Sequence, residues 1–292
     1  MEIKPFLTWI VIPVHNRKAL TLACLGHLRK TGVLDWAKVV VVDDGSTDGT
    51  APAIAGAFPE VVLLPGGGNL WWGGGIEKGM RFAHAAGAEA VIWLNDDTLP
   101  RPGVLREMVE LSLSRQANVT AATIQSETFS FGGQTQTRSG ITPIDRCPPE
   151  PIECDTFHGN LVCFPRQTID RIGFIRGDLF PHTGGDSDYG LLARRQGIPN
   201  LYARNLVADL LEHERPQMDS FLAGDTPLAV LWARVFRVGH GLYWRSNWWL
   251  RVRHWGAWGV WLFLKMYVRL LLLSLARVCL PKEFRSRLAL RF

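Results

Sequence analysis

The chain has 292 residues, 47% of them apolar, enough for one large α/β domain and an appendage. Its five cysteines, an odd number with no Cys-x-x-Cys pair, argue against a disulfide framework or a zinc ribbon and for a reducing compartment. The net charge of +5 hides an asymmetry: from Arg245 onward ten basic residues face one acid, Glu283, so the tail carries +9 and the body −4.

Residues 1–14 carry Glu2 and Lys4, are interrupted by Pro5 and Pro13, and offer no small-residue cleavage site, which argues against a secretory leader. An apolar strand is predicted over 7–14, ending in His15-Asn16-Arg17. Helical spacing of Leu20, Cys24, Leu25 and Leu28 follows over 19–30, with Gly32 as its stop. Residues 38–42 contain four consecutive valines, the pattern of a strand buried on both faces. That strand ends in Asp43-Asp44-Gly45-Ser46-Thr47-Asp48-Gly49-Thr50, a tight turn with a helix-capping signal. A short helix (52–57) and a third strand (61–64) come next.

Six glycines fall within residues 66–75, a composition that lets a backbone fold closely around a ligand. A helix is expected over 76–86 and a fourth strand over 90–94. This strand stops at Asn95-Asp96-Asp97-Thr98, before a corner at Pro100 and Pro102. Two adjacent carboxylates need a cation or a solvated turn to receive them; a hard divalent ion bridging phosphate oxygens is one such cation, and an acid-capped turn is the other reading. A helix (104–113) and a fifth strand (119–124) complete a regular alternation, which argues for a doubly wound, mostly parallel sheet. Residues 125–156 read as loops with a hairpin. A strand (161–164), a short helix (166–172), a helix over 189–196 introduced by Gly184-Gly185-Asp186-Ser187-Asp188, and a strand (206–211) leading to Glu212-His213-Glu214 follow.

In this order, Ile12-Pro13-Val14-His15-Asn16-Arg17, the Asp43–Thr50 segment, Asn95-Asp96-Asp97-Thr98, Gly185-Asp186-Ser187-Asp188 with Arg194-Arg195-Gln196-Gly197, and His213 resemble a family 2 glycosyltransferase of GT-A fold. The resemblance covers roughly residues 8–213. It is to the bacterial branch that builds cell-surface polysaccharides, which includes rhamnosyl- and galactofuranosyltransferases. It implies a catalytic region over 1–215, with a nucleotide-sugar half (about 1–125) and an acceptor half (about 126–215), before a helical region over 216–292.

The resemblance further implies a UDP- or dTDP-linked sugar donor and a glycan or polyprenyl-linked acceptor. Asp43 or Asp44 would contact the nucleoside, opposite a wall made by Pro13, His15 and Arg17. Trp71 and Trp72 would pack over the donor or plug the core. Asp96 would lie at the donor and Asp97 would bind Mg²⁺ or Mn²⁺, with His213 added to the metal. Asp186 would be the base that takes the acceptor proton in an inverting displacement, with Asp188 as a second candidate, and His158 and Asn160 would stand on the acceptor side. Two departures stand out. Gly185 replaces the acid that commonly precedes the base, and Glu77 takes the place of the usual asparagine. A catalytically silent sugar-nucleotide- or membrane-binding module on the same fold is therefore the competing reading. A dinucleotide oxidoreductase lacks its Gly-x-Gly-x-x-Gly after the first strand.

The tail combines Trp248, Trp249, Trp255, Trp258 and Trp261 with Arg251 and Arg253. Its uncharged runs fall short of the roughly 20 residues that span a bilayer. The pattern suits an interfacial helix pair on the cytoplasmic leaflet, hence a peripheral protein on the inner face of the plasma membrane; a cap packed on the catalytic domain is the plainer alternative. High apolar content argues against nucleic acid.

Overall fold

The computed structural model describes residues 7–125, 129–145, 149–211, 222, 224–281 and 285. It comprises two compact units, Met1–Glu212 and His213–Phe292, taken here in turn. The first opens with β1 (Thr8–Val14), α1 (Lys18–Lys30), β2 (Ala37–Asp43), α2 (Thr50–Ala57), β3 (Val62–Pro65), α3 (Trp71–Ala85) and β4 (Ala90–Leu94). It continues through β5 (Thr98–Pro100), α4 (Val104–Arg115), β6 (Asn118–Gln125), β7 (Phe129–Phe131), β8 (Gly133–Thr137), β9 (Gly140–Pro143), β10 (Ile152–Cys154) and β11 (Thr156–Phe157). β12 (Leu161–Pro165), α5 (Arg166–Ile172), α6 (Gly185–Arg195) and β13 (Asn200–Leu210) complete it.

The main sheet runs β10-β13-β6-β12-β4-β1-β2-β3. Its β3, β2, β1 and β4 are parallel, as their continuous apolar runs require when both faces are covered. Successive side chains alternate between two cores. Ile10, Ile12, Val39, Val41, Ile92 and Leu94 pack with Leu25 and Leu28 of α1 and Met108 of α4. Trp9, Val11, Val40, Val91 and Trp93 meet Ile76, Met80 and Ala83 of α3 on the other side.

The alternation expected from the sequence is broken at one place. The predicted fifth strand, β6, does not pair with β4; β12 lies between them, antiparallel to both. Leu161, the first residue of β12, therefore sits opposite Leu94, the last of β4. The Pro100 corner is itself a short strand, β5, antiparallel to β13. Within the expected loop region, β8, β9 and β11 form a second, three-stranded sheet.

The glycine-rich segment also differs from expectation. Helix α3 starts at Trp71, so Gly73, Gly74 and Gly75 belong to its first turns. Their role is close packing. A Cβ on Gly73 would lie 2.1 Å from the Phe180 carbonyl oxygen, on Gly75 2.8 Å from Pro13 Cβ, and on Gly79 2.2 Å from Val11 Cγ1. Only Gly66–Gly68 remain loop.

In the second unit, α7 (Leu228–Phe236) precedes α8 (Trp244–Cys279). One residue inside α8, Gly256, has non-helical angles (φ 56°, ψ −131°). Beyond it the chain doubles back. A Cβ on Gly259 would lie 2.0 Å from the Arg251 carbonyl oxygen, the Trp248 and Phe263 rings meet edge to face at 5.2 Å, and the Tyr267 hydroxyl donates to the Leu242 carbonyl at 2.7 Å. α8 is thus a helical hairpin. By length and composition alone Trp244–Cys279 is long and apolar enough to cross a membrane, but the break at Gly256 divides it into two arms.

Gly79→Ala tests the packing of α3 on β1. Alanine favours helix by about 1 kcal/mol, but overpacking a filled site costs about 1–3 kcal/mol. Urea denaturation is expected to show net destabilisation; a more stable variant would contradict the close contact with Val11.

Candidate active site

The motif residues collect at the C-terminal ends of β1, β2 and β4 and at the N-terminal end of antiparallel β12. Val14 pairs with Asp43 in register, so the loops after β1 and β2 start side by side. They are clasped together. His15 Nδ1 lies 2.7 Å from the Asp44 carbonyl oxygen, the Asn16 amide donates to Ser46 Oγ at 2.8 Å, and Asn16 Oδ1 accepts the Thr47 amide at 2.7 Å. Asp43 Oδ1 accepts the Ser46 amide at 3.1 Å. The Asp44 carboxylate accepts the amides of Gly68 (2.7 Å), Leu70 (2.8 Å) and Trp71 (2.9 Å). It thereby holds the glycine loop against the N-terminus of α3, where the helix dipole favours a negative charge.

Asp96 and Asp97 follow β4 and are only 2% and 5% exposed. Their receiver is Arg17, the residue before α1. Its guanidinium reaches Asp96 Oδ1 at 3.2 Å and Asp97 Oδ2 at 3.0 Å. One turn along α1, Thr21 Oγ1 donates to Asp96 Oδ2 at 3.1 Å. Burial raises the Asp96 carboxyl to about 6; Arg17 and Thr21 oppose this and the neighbouring Asp97 reinforces it. The same acids, after burial itself, push the Cys24 thiol upward.

The opposite wall is a chain of side-chain hydrogen bonds. Trp72 Nε1 donates to Asn95 Oδ1 at 2.8 Å, Asn95 Nδ2 to Asn160 Oδ1 at 3.0 Å, and Asn160 Nδ2 to Thr123 Oγ1 at 3.1 Å. Asp186 joins this wall by accepting the Gly159 amide at 2.9 Å and the Ser187 amide at 2.8 Å. A Cβ on Gly159 would lie 2.6 Å from the Trp72 indole and 3.1 Å from Asp186 Cβ, so the three are stacked in direct succession.

Between the walls lies a cavity of about 240 Å³. Of the residues singled out in the sequence, Pro13, His15, Arg17, Asp44 and Trp72 line it. Asp96, Asp97 and Asp186 are not among its lining residues; the acid pair is bonded to Arg17 and Asp186 to the Gly159 amide. The His158 side chain turns elsewhere, its Nε2 lying 2.9 Å from Gln134 Nε2 and its ring edge-on to Phe131 at 4.9 Å. Burial lowers its pKa, against the pull of Asp186. Asp188 is 3% exposed, whereas Asp186 is half-buried. His213 lies outside the described residues; Leu211, two residues earlier, donates its amide to the Asp97 carbonyl at 2.7 Å.

One cavity residue, His182, escaped the sequence reading. Trp71, held at φ +57°, meets His182 edge to face at 6.0 Å, and both line the cavity. His182 lies within electrostatic reach of Asp186, four residues away, and that spacing was the available signal. The departure at Gly185 also has a steric reason. Its Cβ would come within 3.0 Å of Ile175 Cδ1 and 3.1 Å of Phe180 Cβ, so any side chain there requires Ile175 and Phe180 to give by a few tenths of an ångström.

Among the described residues no group of three or more His, Cys, Asp or Glu is placed to hold a metal ion. The acid pair nonetheless fits a hard cation: it offers carboxylate oxygens and already accepts a positive charge, that of Arg17, between its two side chains.

Residues 9–164 match the family described as glycosyl transferase family 2. The chain belongs to that family. It is 27% identical over 201 residues to an uncharacterised protein of Mycobacterium tuberculosis, covering 68% of this chain and 71% of that one. Two solved structures share the fold. One is GalNAc-T7 with UDP, GalNAc and Mn²⁺ (TM-score 0.59, 14% identity, 83% of this chain and 49% of that chain). The other is the mannosyltransferase PcManGT from Pyrobaculum calidifontis in complex with GDP-Man and Mn²⁺ (TM-score 0.53, 22% identity, 73% and 59%). The chain thus spans about half to three fifths of the chains in those structures. The fold of this glycosyltransferase is the GT-A fold, an α/β sheet carrying a C-terminal helical appendage.

In metal-free protein, Asp96 binds its proton more tightly folded than unfolded, so it stabilises the fold at low pH and this contribution is lost as pH rises through about 6. Asp96→Asn lacks the loss. Between pH 5 and pH 7.5 its stability relative to wild type is expected to improve by on the order of 1 kcal/mol. Parallel pH slopes in urea denaturation would contradict a raised Asp96.

Proposed function

We propose that this family 2 glycosyltransferase is an inverting enzyme. In this reading it moves a sugar from a nucleotide-diphosphate donor to a hydroxyl of a glycan or polyprenyl-linked acceptor, in cell-surface polysaccharide synthesis. One observation carries the reading: Arg17, bonded to Asp96 and Asp97, and Trp72, bonded to Asn95, line a single cavity. Donor contacts fall to Pro13, His15, Arg17, Asp43, Asp44, Trp72 and Asp96, within residues 1–125. Acceptor contacts fall to residues 126–215, with Asn160 and His158 on that side.

Asp97, with His213, would hold Mg²⁺ or Mn²⁺, whose charge stabilises the departing diphosphate. Asp186 takes the acceptor proton as the hydroxyl oxygen attacks the anomeric carbon from the face opposite the leaving group. Its two amide donors orient the carboxylate while leaving lone pairs for that proton. Asp188, buried in α6, is the weaker candidate.

The neighbouring structures hold UDP and GDP-Man, so calorimetry should cover UDP, dTDP and GDP, each with and without Mn²⁺. Asp97→Asn is expected to abolish metal-dependent nucleotide binding. Asp186→Asn should bind nucleotide normally and lose transfer by about 10²-fold or more. Tight binding that ignores metal would sink the assignment. Rhamnose, galactofuranose and hexose donors are separated by a thermal-shift screen.

The acceptor reading extends to the tail. The second arm of α8 exposes Trp261, Leu264, Val268, Leu271, Leu275 and Val278 at three- and four-residue steps, one apolar stripe on a helix. Lys265 and Arg269 are exposed on the same arm, and residues 244–281 contain no acid. These features support peripheral docking on an anionic cytoplasmic leaflet. Leu264→Gln with Val268→Gln and Leu271→Gln should lower co-sedimentation with phosphatidylglycerol vesicles about tenfold or more. Unchanged sedimentation would reject docking through this face.

A further inference from the structure

Arg17 bridges both acids, yet it is the member of the triad that lines the cavity. Its side chain is 33% exposed, while those of Asp96 and Asp97 are 3% and 8% exposed. Anything entering from the cavity meets the guanidinium before it meets a carboxylate. Two of the guanidinium nitrogens are engaged, one on each acid. A guanidinium offers five N–H donors, so others are left to point toward the entrant.

We infer that Arg17 is a resident counter-ion that must give up Asp97 before a divalent cation can bind, so that cation and diphosphate enter this site together. The inference rests on the reading of Asp97 as a metal ligand. A cation arriving alone faces repulsion from a fixed positive charge at the carboxylates it seeks. A diphosphate arriving beside the cation offers the guanidinium a planar oxygen pair of the kind it binds best. The guanidinium then moves from acid to phosphate and an Asp97 oxygen is released to the metal. The acids stay put, since Asp96 is tied to Thr21 on α1 and the Asp97 backbone to Leu211. The moving part is one long side chain at the β1–α1 junction. Coupling of this kind is reciprocal: nucleotide tightens cation binding by the factor by which cation tightens nucleotide binding.

The test is titration of the full-length protein with Mn²⁺, alone and in the presence of UDP, dTDP and GDP in turn, followed by calorimetry. For wild type, Mn²⁺ affinity should rise about tenfold or more with the nucleotide that binds. Arg17→Gln should bind Mn²⁺ alone about tenfold tighter than wild type, lose most nucleotide affinity, and show no further rise. Arg17→Lys, which keeps the charge but cannot bridge two carboxylates in a plane, should fall between them. If Arg17→Gln does not fold, the wild-type coupling and the lysine variant still decide. Wild-type Mn²⁺ affinity that ignores nucleotide, or a glutamine variant no tighter for Mn²⁺ alone, would overturn the inference. Asp97→Asn separates the two levels. If it leaves Mn²⁺ binding intact, the metal reading fails; if it abolishes binding while the Arg17 variants behave as wild type, only the counter-ion role fails.

Discussion

The bridge from Arg17 to Asp96 and Asp97 is the constraint around which the upper edge of the sheet is built. β4 is buried along its whole length and ends in two acids that burial disfavours as charges. Arg17 bridges the two acids there. The cation comes from the end of the adjacent strand, β1, and so ties β1, α1 and β4 together at the point where a ligand would enter. The bridge does not fully offset the cost of burial. Asp96 still lies above the ordinary carboxylate range, so desolvation outweighs Arg17 and Thr21 together. A site whose charges are under-compensated is ready to accept more positive charge.

Strand direction supplies the other half of the site. Parallel strands bring their C-terminal ends to one edge, which accounts for the loops after β1, β2 and β4. A fifth parallel strand beside β4 would have sent its starting residues to the far edge. Antiparallel β12 instead begins at the near edge, and Asn160 meets Asn95 across 65 residues of sequence. Gly159 and Asp186 follow from that inversion. The Asn160–Gly159 side of the site is thus a consequence of the reversed direction of β12 beside β4.

Periodicity made β1, β2, β4 and the helices between them legible, because an apolar run reports burial directly. It also marked Asp43, Asp44, Asp96 and Asp97 as strand ends. What it could not report is direction and partner. The run at 161–164 is equally apolar in either orientation, so β12 was readable as a strand but not as an antiparallel neighbour of β4. The two acids were readable as needing a cation or a solvated turn, but not as bonded to Arg17, 80 residues distant. The glycines of α3 read as ligand-cradling because composition shows the absence of side chains and not what fills the space. In the tail, a single left-handed residue, Gly256, turns one long apolar segment into a hairpin.

The position of Asp186 separates a helix cap from a directed carboxylate. An N-capping aspartate stands before its helix and accepts an amide two or three residues on. Here the residue before α6 is Gly184, in the left-handed region and without a side chain to cap with. Asp186 lies inside the first turn and accepts the amide of its immediate neighbour, Ser187. Its other oxygen leaves the helix altogether for Gly159, in the turn before β12. That glycine cannot carry a Cβ without striking Trp72, and Trp72 is fixed through Asn95 to the residue preceding the acid pair. The carboxylate is therefore aimed by a tertiary chain that begins at Asn95, beside Asp96 and Asp97, and not by the needs of α6. The placement at 186 thus ties α6 to the turn before β12.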